Sequence, residues 1–287
     1  MLMRLLFVIL AIMPFGTKAQ AGFWDSMVDT FTYSKPKAPS IKVLVLHDVE
    51  RASLEVKGKY TLVDPNTDND KEITLPRVLG KKRDIEPRHD GIKWGEAFPD
   101  YFQFKVVPGD PKTEIILNDK EFKGNLYVYN IGDSISVVNQ TPIEQYVRAL
   151  LTNNYEQYNL HPEALAAVTI AVRTNAYFQA NNPKSKLYAV DGKKVGFDGM
   201  VDASPDVVEA VKVTRYMILS KTGVYEKKAT PFAAQFTLKD QPPAKEAEVS
   251  KLSLEEINKL AQKGEHAAQI LSKAFPNSQI VILEYGN

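Results

Sequence analysis

The amino-acid sequence predicts an α+β fold in which a strand-rich first half is followed by a group of helices. Two observations lead to this prediction. Across residues 41–139, short runs of β-branched and aromatic residues alternate with turn signals such as Pro108-Gly109-Asp110. Across residues 140–287, apolar residues recur at helical spacing behind residues that begin helices. No internal repeat is visible, so we expect one domain over residues 41–287.

The first half is predicted to consist of short strands separated by turns, because each run is too short for a helix and is rich in strand-forming residues. The predicted strands cover residues 41–46, 53–56, 59–63, 72–75, 101–107, 114–117, 122–129 and 134–138. The basic run 81–83 is expected to be a solvated loop.

Two helices are predicted in the segment NQTPIEQYVRALLTNNYEQYNLHPEALAAVTIAVRTNAYF, residues 139–178. Thr141 and Glu144 have the spacing of a capping box, and the helix that follows should run to about residue 151, with Arg148 off its apolar stripe. The second helix should begin near Pro162, and its many alanines allow another element to approach closely. Later elements are a helix from 205, a hairpin of strands 215–220 and 224–228, a helix opened by a Ser253/Glu256 capping box, a helix over 266–275 and a strand over 279–283.

The connection between the two central helices, residues 152–158, is polar and aromatic together. Amide and carboxylate groups can pair with sugar hydroxyls, and tyrosine rings can stack on the apolar faces of pyranoses. This composition suits a carbohydrate site. A solvated linker fits the composition equally well.

The same segment resembles the SpoIID/LytB family, stage II sporulation protein D and amidase enhancer. The resemblance is carried by Val-Val-Asn at 137–139, Tyr146-Val147, Glu-Ala-Leu at 163–165 and Val-Arg-Thr-Asn-Ala-Tyr at 172–177. It implies a peptidoglycan lytic transglycosylase that acts on denuded glycan strands. In such an enzyme one glutamic acid protonates the bond between N-acetylmuramic acid and N-acetylglucosamine, and an anhydro-muramyl product forms without a second carboxylate nucleophile.

The chain departs from the family pattern at the position of the catalytic glutamic acid. Counting without a gap from Tyr146 puts Asn154 at the position of the catalytic glutamate, and Glu156 lies two residues further on. An asparagine side chain cannot act as a general acid. Either Glu156 is the acid through a shifted loop, or the protein is a noncatalytic glycan-binding module that recruits or stimulates an amidase.

The resemblance and the loop composition together give the expected site, with Glu156 as the catalytic residue. For two of the matched residues the sequence leaves two roles open. Arg173 either binds a sugar substituent or forms a structural ion pair, and Tyr146 either lines the site or belongs to the core. The residues expected to bind substrate are Asn153, Asn154, Tyr155, Tyr158, Arg173 and Tyr146.

The N-terminus has the pattern of a secretory signal over residues 1–21: a short basic start, an apolar run and a small-x-small site ending at Ala21. Residues 22–40 are expected to form a flexible arm and linker. The apolar run is shorter than the ~20 residues that span a bilayer, so no integral membrane segment is expected after cleavage. Export to the periplasm or cell envelope follows from this interpretation.

Composition limits the partners. The chain has 36 Lys and Arg against 35 Asp and Glu, a net charge of +1, so bulk charge does not favour nucleic acid. It has no cysteine, and its four histidines are far apart, so neither a metal nor another cofactor is expected. The expected partners are peptidoglycan glycan strands and, in the noncatalytic alternative, a cell-wall amidase.

Overall fold

Two large, mainly antiparallel β-sheets, two further sheets of two strands each, and a group of helices make up the described fold, which is α+β as predicted. The structure, a computed structural model, describes residues 39–67, 71–73, 81–221, 229–238 and 242–285. The predicted signal and nearly all of the predicted arm lie outside these residues. The described residues up to Glu284 belong to one compact unit, Ala38–Glu284.

Within the described residues there are seventeen strands, six α-helices and one 3₁₀ turn. The strands are β1 Ser40–Val49, β2 Ala52–Lys57, β3 Tyr60–Asp64, β4 Lys71–Glu72, β5 Arg83–Arg88, β6 Gly91–Trp94, β7 Glu96–Pro99, β8 Gln103–Pro108, β9 Glu114–Leu117, β10 Lys120–Phe122, β11 Asn125–Ile131, β12 Ser134–Pro142, β13 Val190–Asp191, β14 Met217–Lys221, β15 Ala234–Gln235, β16 Glu248–Val249 and β17 Ser278–Ile282. The helices are α1 Ile143–Asn154, α2 Pro162–Asn181, α3 Gly192–Val195, α4 Pro205–Val213, α5 Leu254–Gln262 and α6 Ala267–Ala274, and the 3₁₀ turn is Glu156–Tyr158.

The larger sheet has seven strands in the order β13-β1-β12-β11-β8-β3-β4. All its pairs are antiparallel except β1 with the short β13. Alternate residues of these strands, including Val43, Phe104, Val128 and Val137, are fully buried. This alternation is the period-2 pattern that made the strands recognisable in the sequence.

The second sheet has six strands in the order β10-β9-β2-β5-β6-β7, and Trp94 joins it to the first. Trp94 is fully buried, donates its indole N–H to the carbonyl of Leu54 at 3.2 Å, and stacks on Phe104 of the larger sheet at 6.0 Å. Strands β5, β6 and β7 were not predicted. Arg83 belongs to β5 and not to a loop, because strand pairing with β2 overrides its charged, exposed sequence.

The helix α2 runs through the centre of the helical part and contacts α1, α4, α5, α6 and β14. Its alanines Ala164, Ala167 and Ala171 are buried, as the small-residue pattern predicted. The Ser253/Glu256 capping box at α5 is confirmed, with Ser253 Oγ accepting from the Glu256 amide at 3.2 Å.

Two local predictions were wrong. Thr141 does not cap α1, because β12 continues through it and buries its side chain, and the helix begins after Pro142 without a side-chain cap. The predicted strand 122–129 is broken at Gly124, which has φ +89° and lies so close to β12 that a Cβ there would be 2.1 Å from the Gln140 carbonyl. The predicted strand 224–228 lies outside the described residues.

Candidate functional site

A cleft of about 870 Å³ opens where the second sheet meets the helical part. Three stretches of chain line it: the β9–β10 hairpin and the residues after it, the helix α1 with its C-terminal end, and the loop 196–202. Its volume is in the range of small-molecule sites, but its lining is mostly polar and charged. The lining residues are Asp119, Lys120, Glu121, Lys123, Arg148, Asn153, Asn154, Gly196, Asp198, Met200, Val201 and Asp202.

A hydrogen bond and an ion pair join two walls of the cleft, the β9–β10 hairpin and the loop 196–202. The Met200 amide donates to the Glu121 carbonyl at 2.7 Å, and the Lys120 ammonium forms an ion pair with Asp198. Gly199, with φ +91°, allows this approach, because a Cβ at that position would lie 2.8 Å from the Glu121 carbonyl. The hairpin of the second sheet and the loop 196–202 therefore form one continuous rim.

The helix α1 braces the same loop through its last two residues. Asn153 donates its side-chain amide to the Gly196 carbonyl and Asn154 donates to the Val195 carbonyl, both at 2.9 Å. Gly196 has φ +75°, and a Cβ there would lie 2.4 Å from Asn154 Oδ1, so the contact depends on this glycine. Both asparagines, which the sequence analysis assigned to the site, line the cleft and also hold its wall.

Glu156 lies beyond the cleft lining, in the 3₁₀ turn. Its carboxylate is half-buried, and Oε1 accepts a hydrogen bond from the Ser204 amide at 3.0 Å. Ser204 is the N-cap of α4, so the carboxylate lies at the N-terminal end of that helix. This contact ties the turn to α4 and directs the carboxylate to a structural partner.

The three tyrosines of the predicted site are also outside the cleft lining. Tyr146 is buried, donates its hydroxyl to Gln179 Oε1 at 3.3 Å, and packs on Phe197 at 5.3 Å; burial raises the pKa of its phenol. Tyr155 is buried as well, and burial, with a smaller effect of Tyr158, raises its pKa. Of the two roles open for Tyr146, the structure gives the core role, since its ring supports Phe197 from within.

Each side-chain nitrogen of Arg173 has a hydrogen-bond acceptor. Its side chain is fully buried and forms a two-pronged ion pair with Glu144, with both N–O distances 2.8 Å. Its remaining donors reach Thr214 Oγ1 at 3.1 Å and the carbonyls of Met217 and Val211 at 3.3 Å. Of its two alternative roles, Arg173 has the structural ion pair, which joins α1, α2 and α4 at their common contact.

Sequence reasoning did not single out the charged residues of the cleft. Asp119 and Lys120 come from the hairpin of the second sheet, and Asp198 and Asp202 come from loop material, so no motif joined them. Arg148 had a signal, because it lies off the apolar stripe of the same helix that ends in the two asparagines.

A comparison with known protein families finds a match in this part of the chain. Residues 132–220 match the family model described as Stage II sporulation protein, SpoIID. This segment is therefore similar to the SpoIID family. The resemblance noted from the sequence is thereby confirmed, and the similarity to SpoIID indicates a function related to the cell wall.

Two curated relatives match most of the chain. An uncharacterized protein of Chlamydia pneumoniae is 28% identical over 278 residues, which cover 95% of this chain and 93% of the relative. An uncharacterized protein of Chlamydia muridarum (strain MoPn/Nigg) is 26% identical over 260 residues, covering 89% of this chain and 82% of the relative. No solved structure matches the chain.

The SpoIID segment contains two of the three stretches that form the cleft. It includes α1, with Arg148 and the two asparagines, and the loop 196–202, but not Asp119 or Lys123 of the hairpin side. The cleft is thus a composite of the family segment and the preceding sheet. In the described ranges, no helix is both long and apolar enough to cross a membrane.

Proposed function

We propose that this protein binds the glycan strands of peptidoglycan in the cleft without cleaving them. One observation carries the proposal: Asn154 occupies the position at which the family resemblance implies the acid, and its amide is engaged with the Val195 carbonyl. An amide N–H is too weak an acid to transfer its proton to a glycosidic oxygen. The neighbouring carboxylate, Glu156, is engaged with the Ser204 amide away from the cleft.

The chemistry of the cleft suits a polyhydroxylated ligand. Asn153 and Asn154 present amide groups, and Lys120, Asp198 and Asp202 present charged donors and acceptors. Hydroxyl and acetamide groups of amino sugars can pair with both kinds of group. Met200 and Val201 add apolar surface on the same rim, which can contact the C–H face of a pyranose ring.

A lytic transglycosylase is the second candidate, and one feature favours it. Asp202 lines the cleft and is exposed, and among the described residues no ion pair or hydrogen bond engages its carboxylate. A lytic mechanism with a single acid needs a carboxyl group in this region. Glu156 would serve the same role only if the turn moved away from Ser204.

A direct assay separates the two candidates. The chain from residue 22 onward is incubated with denuded glycan strands, and bound and soluble fractions are examined by sedimentation and mass spectrometry. The proposal expects binding without anhydro-muramyl products. Products that disappear in Glu156→Gln or in Asp202→Asn would overturn it and identify the acid.

The cleft itself is tested with a matched pair of variants. Asn153→Ala removes a cleft amide together with its hydrogen bond to Gly196. Asn182→Ala removes an exposed amide that donates to the Phe178 carbonyl at the end of α2, outside the cleft. Loss of one such polar contact is worth about 1 kcal/mol, so we expect the first to weaken binding about fivefold and the second to leave it unchanged.

We also infer that the protein acts in the cell envelope after export, on the strength of the signal pattern in residues 1–21. N-terminal sequencing of the protein recovered from the periplasm of a bacterial host should begin after Ala21. A glycan-bound, noncatalytic protein would suit a partner role toward a cell-wall amidase. Adding the protein to an amidase assay on intact peptidoglycan should then raise the rate of peptide release.

A further inference from the structure

Arg148 is a cationic residue of the cleft, and no carboxylate of the described residues forms an ion pair with it. It projects from α1 and lines the cleft, with the side chain half-buried. Its Nε atom is shielded from solvent and has no hydrogen-bond acceptor. Among the described residues no carboxylate lies within 4 Å of its guanidinium, and no hydrogen bond from that group is formed.

The other cleft cations differ from Arg148 because each has a carboxylate partner. Lys120 pairs with Asp198, and Lys123 pairs with Glu121. Arg173, the arginine that the sequence suggested for ligand recognition, is fully buried against Glu144. Arg148 therefore remains as the cleft group with a free positive charge and unused donors.

The unmet donors of Arg148 define the ligand group that it would take. A guanidinium is planar and matches a carboxylate with two parallel hydrogen bonds, and such charge-assisted pairs are stronger than neutral ones. Because no acceptor of the described residues engages this guanidinium, a ligand carboxylate that enters the cleft can pair with it without first displacing a protein partner.

In a glycan strand, N-acetylmuramic acid carries a carboxylate on its lactyl group, and this carboxylate is free once the peptide has been removed. N-Acetylglucosamine carries no such group, and a muramic acid that bears a peptide has an amide in its place. We propose that Arg148 binds the free lactyl carboxylate and is the specificity-determining residue of the cleft. This inference rests on the proposed glycan binding and adds the residue that distinguishes one sugar from another.

The test compares three oligosaccharides of equal length by isothermal titration calorimetry. One contains N-acetylmuramic acid with a free carboxylate, one has the same carboxylate converted to a methylamide, and one contains N-acetylglucosamine alone. Wild type should bind the free acid about tenfold more tightly than either neutral ligand. Arg148→Gln should bind all three with the affinity that wild type shows for the neutral ligands.

Two controls separate this effect from a general loss of structure or charge. Arg215→Gln removes an exposed arginine that lies over the Tyr216 ring outside the cleft, and it should keep the tenfold preference. Arg148→Lys keeps the charge but loses the planar two-pronged geometry, so its preference should fall to an intermediate value. Circular dichroism of each variant verifies that the fold is retained.

A second readout is independent of glycan binding. The Nε–H resonance of Arg148, identified by its absence in Arg148→Gln, should shift when N-acetylmuramic acid alone is added and should not shift with N-acetylglucosamine. If no oligosaccharide binds but this resonance shifts, the proposed glycan function fails and the carboxylate site stands. If the oligosaccharides bind without preference for the free acid, or Arg148→Gln weakens all three equally, the inference is overturned and glycan binding stands.

Discussion

The ion pair between Glu144 and Arg173 offers a direct test of how the helical part is held together. The perturbation is Glu144→Gln, which keeps the side-chain shape and one acceptor but removes the negative charge opposite a fully buried guanidinium. Arg173 would keep its contacts to Thr214 and to the carbonyls of Val211 and Met217. These neutral acceptors cannot replace the lost charge.

The magnitude follows from the burial of the two partners. Removing one partner of a buried pair costs about 3–5 kcal/mol. The Glu144 side chain is 21% exposed, so water can reach the vacated position and the loss should lie near the lower end, about 3 kcal/mol. In a domain of this size each kcal/mol lowers Tm by about 2–4 °C, so a decrease of about 6–12 °C is expected.

Urea denaturation followed by circular dichroism measures the free energy of unfolding, and calorimetry measures Tm. The control is Glu209→Gln, which breaks an exposed i,i+3 pair with Lys212 and should change stability by less than about 0.5 kcal/mol. A loss below about 1 kcal/mol in Glu144→Gln would refute the reasoning. A loss of glycan affinity without a loss of stability would instead support a sugar-binding role for Arg173.

Three further perturbations probe other parts of the chain. Ser253→Ala removes the confirmed α5 cap and should cost about 1 kcal/mol by urea denaturation. Gly124→Ala places a Cβ against the Gln140 carbonyl and should destabilise clearly more than Gly132→Ala, whose added Cβ meets nothing within 4 Å, although both glycines have positive φ. Burial raises the pKa of Tyr129 from 10.0 to about 12. The stability that its neutral phenol contributes is therefore complete below about pH 10 and is lost as the pH rises from there through about 12. In Tyr129→Phe the decline of the unfolding free energy over this pH range should be smaller by up to about 1.4 kcal/mol per pH unit.

Much of the fold could be predicted from the sequence because local signals and tertiary packing agree. The helix α4 has a serine cap followed by proline, and its start at Pro205 was predicted from the sequence. The strands β5 to β7 escaped prediction because charged and proline residues such as Arg83 and Pro87 hide the period-2 pattern. They are held as strands by neighbours distant in sequence, which no local window contains.

The candidate site was predicted less completely, because its residues were assigned by their position near one loop. Asn153 and Asn154 were assigned to the site, and both line the cleft. Within the next two residues Tyr155 is buried and Glu156 bonds to the Ser204 amide, since the 3₁₀ turn redirects the chain after α1. Whether a side chain faces a cleft or a helix end depends on such a turn, and composition does not encode it.

The hairpin that carries Lys120 and Glu121 has a practical consequence for any dissection of this protein. A fragment limited to residues 132–220 would keep Arg148 and both asparagines but would lack the partners that hold Asp198 and Met200 in place. In such a fragment the cleft would be open on one side, because the residues that line its opposite wall would be missing. Ligand affinity should therefore be acquired only when the upstream strands are present on the same polypeptide.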